Sequence, residues 1–420
     1  VREAATLSLF EGYGIELEYM IVDAGSLDVM PIADRLIEAE SGGLENEIER
    51  GEFAWSNELA RHVIEAKTNG PVPRLDGLSS AFDAELRRMH ELLERFGARL
   101  LPTAMHPWMD SVRDFELWPH GSREIYETFD RIFDCRGHGW ANLQSAHLNL
   151  PFSNDDEFGR LHAASRALLP LLPALAASSP FVDGRATGWM DTRLEVYRTN
   201  ARRVPSVSGA VIPEPIYTRA GYEELLESIY SDLEPFDAQG ILRHEWVNAR
   251  GCIARFDRMA VEIRVLDVQE CPAADVAIAA AISACLRALC ESGTGQVDRI
   301  RSLETSRLVR LLETTTRDAE RALVDDPDYL AALGFGRQSR RAGDLWSALI
   351  ERDFHGEPFF EAARPMLDVI REEGTLASRI VRRVGALSED RRQPPRVVMR
   401  SVWRELADCL RDGRSFRALA

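Results

Sequence analysis

The stretch "GYGIELEYMIVD", residues 12–23, alternates every second residue as a β-strand does, with Ile15, Leu17, Tyr19 and Ile21 on one face. Two residues of the other face, Glu16 and Glu18, are carboxylates, held roughly 6.5–7 Å apart by the strand rise. Two like charges side by side contribute nothing to a core, so their reason lies outside packing. Three distant segments share the oddity. In "SNELARHVIEAKT" (56–68) Glu58 and Glu65 are separated by seven; a helix puts both on one solvated face, and a strand needs a bend between them. In "LQSAHLNL" (143–150) Gln144, His147 and Asn149 interrupt apolar residues, and His147 and Asn149 share a face. In "AVEIRVLD" (260–267) Glu262 and Arg264 oppose Val261, Ile263 and Val265.

Taken singly, each segment fits an antiparallel sheet with one wet face. Gathered on one concave face, the carboxylates would repel, and some would protonate unless cations neutralised them. Oxygen ligands suit Mg²⁺ or Mn²⁺, and a single histidine tilts the set toward tolerance of Mn²⁺. An arginine beside Glu262 would then face a phosphate, which guanidinium grips in a planar, bidentate way.

The bulk composition narrows the partners. The net charge is -17 over 420 residues, with no basic block, which argues against nucleic acid. An anionic small substrate must be met locally, by arginines or metal ions. Lys67 is the only lysine among 51 basic residues, a bias that also removes any lysine-centred phosphate loop. Six scattered cysteines without a CxxC pair, and no secretory start, suggest free thiols in a reducing cytoplasm. The apolar stretches "ALLPLLPALAASSPF" and "VAIAAAISACLRALC" are too short or too interrupted to cross a bilayer.

Strands and turns are expected over 10–70, then an amphipathic helix over 75–97 and a short strand "ARLLPTAMHPW". An aromatic-rich loop (116–140), a strand "LQSAHLNLPF" and a helix to about 177 follow, then a Gly-rich loop "SSPFVDGRATGWMDTR" (178–193). A hairpin over 252–269 leads into an Ala-rich helix over 273–291, and from about 296 the pattern is almost wholly helical. This order predicts an α+β fold, an antiparallel sheet backed by helices. We read residues 1–295 as a catalytic domain and 296–420 as a helical extension packed on it.

"GIELEY", "NELARHVIEAKT", "SAHLN", "SSPFVDGRATG" and "VEIRVLDVQECP" stand in the order seen in the glutamate–cysteine ligase family, and the chain resembles its bacterial carboxylate–amine ligase branch over about residues 10–290. That resemblance implies a glutamine synthetase/guanidino kinase-like fold whose curved sheet holds ATP and two or three Mg²⁺ ions, with Mn²⁺ as the substitute. It implies metal ligation by Glu16, Glu18, Glu58, Glu65, His147 and Glu262. It makes Arg264, with Glu262 and Glu65 beside it, the catalytic set, and it places Arg185, Arg193, Asn149 and Gln144 at the amino-acid substrate. The implied reaction is ATP-driven amide formation through an acyl phosphate, with γ-glutamylcysteine as product. Partners would be amino acids and ATP, with no nucleic acid and no membrane, and a homodimer is allowed. Many members carry a second histidine where this chain has Ser145, which leaves metal number and amine substrate open. Rival readings are a ligase for other amino acids or amines, a phosphotransferase on the same fold, and a binding protein without turnover.

Overall fold

In the computed structural model, which describes residues 6–418, the opening segment forms strand β1 (Gly14–Asp23) at the centre of the main sheet. The same sheet contains β2 (Glu47–Arg50), β3 (Phe53–Asn57), β4 (Val63–Thr68), β5 (Ala98–Leu101) and β6 (Ser145–Pro151). A small separate hairpin, β7 (Phe181–Val182) and β8 (Arg185–Ala186), precedes β9 (Cys252–Arg255) and β10 (Ala260–Asp267). The sheet runs β2-β3-β4-β1-β6-β10-β9, and every pairing in it is antiparallel. One edge of β1 takes β4, and the other takes β6 along Gly14–Leu17 and β5 along Met20–Asp23. The α+β class and the antiparallel sheet are as the sequence predicts.

Ile15, Leu17, Tyr19 and Ile21 are fully buried in one large core shared with helices Leu78–Leu93 and Pro272–Cys290. Each such side chain contributes roughly 1.5–3 kcal/mol by leaving water. Helix Pro272–Cys290 has the length and composition to span a membrane, contrary to the reading of its sequence as too short or too interrupted, but 83% of its most apolar window is buried here. The six cysteines are free and buried.

The other face of β1 is divided. Met20 and Val22 enter a second core with Trp403, Leu406 and Met399 of helix Arg396–Asp412. Trp403 Nε1 donates to Thr103 Oγ1 at 3.2 Å, and Arg99 pairs with Asp408 at 2.9 Å. A fully buried ion pair, Arg379–Glu270, also receives the Phe416 backbone, tying the last residues to the turn after β10. Only the Glu16–Glu18 half of that face is left open.

Two local expectations change. Residues 33–41, expected among strands and turns, form helix Ala33–Ser41, which buries Ala33, Leu36 and Ile37 and ends at Gly42 in a left-handed conformation (φ 80°). The strand read in "ARLLPTAMHPW" stops at Leu101, because Pro102 lacks an N–H and β6 takes over the edge of β1. The aromatic-rich loop carries helix Arg123–Phe133 and the single turn His138–Ala141.

Candidate active site: an acidic cleft on the open face

Register brings the remote segments together. Glu47, Ser56, Glu65 and Glu18 are successive cross-strand partners from β2 to β1. One row along, Ala54, Lys67, Glu16 and His147 are successive partners from β3 to β6. Paired residues share a face, so both rows look into the same space. Between β6 and β10 a bulge sets Arg264 and Val265 opposite His147; Val265 turns to the core while Arg264 stays on the cleft side with Glu262. Glu58 lies in the break after β3, the bend that a strand reading of its segment requires.

The polar side chains of these rows, with Glu58, Glu262 and Arg264, floor a cleft of about 530 Å³. His147 Nδ1 donates to Glu16 Oε2 at 2.9 Å, Asn149 Nδ2 donates to Glu16 Oε1 at 3.1 Å, and the Ser145 amide donates to Glu18 Oε2 at 2.7 Å. Glu65 Oε2 accepts from Ser56 Oγ at 2.6 Å and from Lys67 Nζ at 2.9 Å. Lys67 also reaches Glu47 at 2.8 Å. Burial alone would push the Glu16 carboxyl up, but the hydrogen bond and charge of His147, with Lys67 and Arg258, hold it well below the ordinary range. Burial opposes the charged form of His147, yet Glu16 overcomes this and raises its pKa. Burial and the charge of Glu16 push Glu65 up to about 7. Glu58 is raised further, by burial and then by Glu18 and Glu65. Fully ionised, the carboxylates would therefore hold more negative charge than the surrounding groups neutralise, and protonation or a cation must relieve it.

Two donor groups overlap: Glu16, Glu65 and His147, and Glu18, Glu58 and Glu65, with ligand atoms in each group within 4.8 Å of one another. A set of carboxylate oxygens with one imidazole, short of positive charge, fits Mg²⁺ or Mn²⁺. Glu262 lines the same cleft but belongs to neither group. Arg264 holds its carboxylate at 2.8 Å and Arg255 at 3.3 Å.

The expected substrate residues separate. Arg193 reaches the cleft, 2% exposed, with Nη2 on the Arg264 carbonyl at 2.8 Å and Nη1 facing the buried Asp267 carboxylate at 3.5 Å. Asn149 stands beside Glu16 with a free Oδ1. Gln144 is wholly buried outside the cleft lining, and its side-chain amide has no partner. Arg185 is exposed on the β7–β8 hairpin, away from the cleft, with Asp183 at 3.8 Å as its ion-pair partner.

Sequence reasoning missed Arg255, Arg258, Asn200 and a wall of Tyr126, Phe129, Trp140, Tyr197 and Trp246. Phe129 stands 5.4 Å from Trp140 and 5.8 Å from Trp246, ring centre to ring centre. The density of aromatics in 116–140 was the one signal for this wall; its position depends on how helices pack over the sheet.

Comparisons with known proteins point to a ligase of the glutamate–cysteine type. The model of glutamate-cysteine ligase family 2 (GCS2) matches residues 13–403, and the chain belongs to that family. An Archaeoglobus fulgidus protein, named only as uncharacterized, is 38% identical over 275 residues, covering 66% of this chain and 74% of its own. A Bradyrhizobium sp. (strain BTAi1) protein, provisionally named glutamate–cysteine ligase 2, is 26% identical over 405 residues, covering 91% of this chain and 89% of its own. Among solved structures, glutamate–cysteine ligase from Francisella tularensis in complex with AMP aligns with a TM-score of 0.59 at 13% identity, over 99% of this chain and 91% of that one. A bifunctional glutathione synthetase from Pasteurella multocida aligns with a TM-score of 0.55 at 14% identity, over 96% of this chain and 52% of that one. At such identities the structural likeness speaks for the fold.

Proposed function

We propose that this chain is an ATP-dependent carboxylate–amine ligase that joins glutamate to cysteine through an acyl phosphate. One observation carries the reading: two donor groups, drawn from β1, β4, β6 and the break after β3, share Glu65 and when ionised leave a surplus of negative charge beside arginines. A triphosphate with divalent cations satisfies both sides of that imbalance. The Francisella neighbour was solved in complex with AMP, which supports nucleotide use in this fold. Every cleft-lining residue falls within 1–295, so the chemistry is assigned there, and the helices of 296–420 are assigned to packing.

In this reading an oxygen of the substrate carboxylate attacks the γ-phosphorus, a C–O–P linkage forms and ADP leaves. The amine then attacks the acyl carbon and phosphate departs with the oxygen it gained. No protein nucleophile takes part. Arg264, fixed by Glu262 and by the Asn248 carbonyl at 3.2 Å, presents its guanidinium at the edge where phosphoryl charge develops. Arg193, behind Arg264 and already facing Asp267, adds positive charge to the side of the cleft where a substrate carboxylate would bind. Glu16, Glu18, Glu58, Glu65 and His147 would hold Mg²⁺ or Mn²⁺, which when bound neutralises phosphate oxygens.

The aromatic wall favours a second reading, the same mechanism acting on a bulkier amine than cysteine. An amino-acid and amine panel with ATP and Mg²⁺ or Mn²⁺, followed by ADP release and product mass, tests both. ADP release requiring glutamate and cysteine, with one free phosphate per amide, supports the first. A phosphorylated product without amide, or no ADP release with any pair, overturns the ligase.

A further inference from the structure

Of 51 basic residues, 50 are arginine, and the exception sits on the floor of the cleft. Against that bias, the one lysine stands beside Glu65, the carboxylate that both donor groups share. We propose that Lys67 is a built-in cation that reserves one oxygen of the shared carboxylate Glu65, so limiting how many divalent ions the cleft takes and how tightly. This rests on the reading of the cleft as cation-holding.

The geometry supplies the mechanism. Glu65 belongs to both donor groups, and a carboxylate that links two ions offers one oxygen to each. Glu65 Oε2 is already taken by Lys67 Nζ at 2.9 Å and Ser56 Oγ at 2.6 Å, which leaves Oε1. Glu47, at 2.8 Å, anchors the ammonium from the rim. The cross-strand neighbours of Lys67 are Ala54 on one side and Glu16 on the other. Ala54 leaves room for the stem, and the charge lies beside both donor groups. An ammonium is a compact point charge that meets two carboxylates with one nitrogen; the planar arginine fork needs a wider approach. A fixed positive charge also repels every divalent ion brought to Glu16 or Glu65.

Mn²⁺ binding to the full chain, followed by equilibrium dialysis and by the electron paramagnetic resonance of free Mn²⁺, tests this without turnover. Lys67→Gln, which keeps a hydrogen-bond donor for Glu65, is expected to bind the first Mn²⁺ roughly tenfold tighter or more and to take up one ion more than wild type. Lys67→Met repeats the measurement without a donor, and Lys67→Arg, which keeps the charge on a fork too wide to sit as closely, is expected to bind Mn²⁺ more tightly than wild type but less tightly than Lys67→Gln. Unfolding in EDTA checks that each variant folds. A folded Lys67→Gln with wild-type or weaker Mn²⁺ binding overturns the inference, as does Lys67→Arg binding as tightly as Lys67→Gln. Wild type binding no Mn²⁺ overturns both this and the cation-holding reading; wild type binding Mn²⁺ with no change in Lys67→Gln overturns this alone.

Discussion

Glu65→Gln is expected to make the metal-free protein more stable while removing its activity. The Glu65 carboxyl is 4% exposed and is pushed up to about 7 from an ordinary 4.5, first by burial and then by Glu16. Its folded pKa lies above the unfolded one, so between about pH 4.5 and 7 the folded state binds more protons. Stability therefore falls as pH rises through that window, and the loss is complete above it. At about 1.4 kcal/mol per unit, holding Glu65 ionised at pH 8 costs about 3 kcal/mol as an upper figure. Glutamine keeps the shape and the acceptor for Ser56 and Lys67 without the charge. Denaturant unfolding in EDTA is expected to show a gain of about 1–3 kcal/mol for Glu65→Gln at pH 8 and almost none at pH 4.5. Added Mn²⁺ should then stabilise wild type more than the variant, since only wild type has the complete donor set. A variant less stable than wild type at pH 8 in EDTA, or one that gains as much from Mn²⁺, refutes the reasoning. Stability sacrificed at a site that packing does not require is a mark of function.

Arg264→Ala is expected to lower ADP release with the amino-acid substrates at least 100-fold, about 3 kcal/mol, through loss of charge at the phosphoryl group; turnover near wild type would remove it from the mechanism. Arg185→Ala should leave kcat and every KM within about twofold, because the exposed side chain has no route to the cleft; a large rise in a substrate KM would restore its expected binding role. His162 is buried among Phe158, Tyr217 and Tyr222, and burial lowers its pKa from 6.5 to about 4. Between those values the unfolded state binds more protons, so stability falls as pH drops. His162→Phe should therefore reduce the loss between pH 7 and pH 5 by about 2 kcal/mol, and an unchanged pH dependence in unfolding would refute this.

Within single segments the alternation of apolar residues, read with the odd carboxylates, was enough to locate β1, β6 and the β9–β10 hairpin to within a few residues. It was enough because a strand's two faces are written locally, at period two. It also singled out every carboxylate of the cleft floor except Glu47, together with His147 and Arg264, as residues without a packing reason. Pairing is another matter. That Glu65 stands opposite Glu18, and Lys67 opposite Glu16, depends on register between residues about 50 positions apart, which no local pattern encodes. The same holds for the open half of β1. Glu16 and Glu18 face a cleft because helix Arg396–Asp412, nearly 400 residues away, covers Met20 and Val22 and stops there. Arg185 and Arg193 looked equivalent in one loop, and only the folded hairpin turned the first outward while the following helix carried the second inward. Residue chemistry and periodicity are properties of a segment; which charges meet, and which face stays uncovered, is decided when distant segments compete for the same buried area.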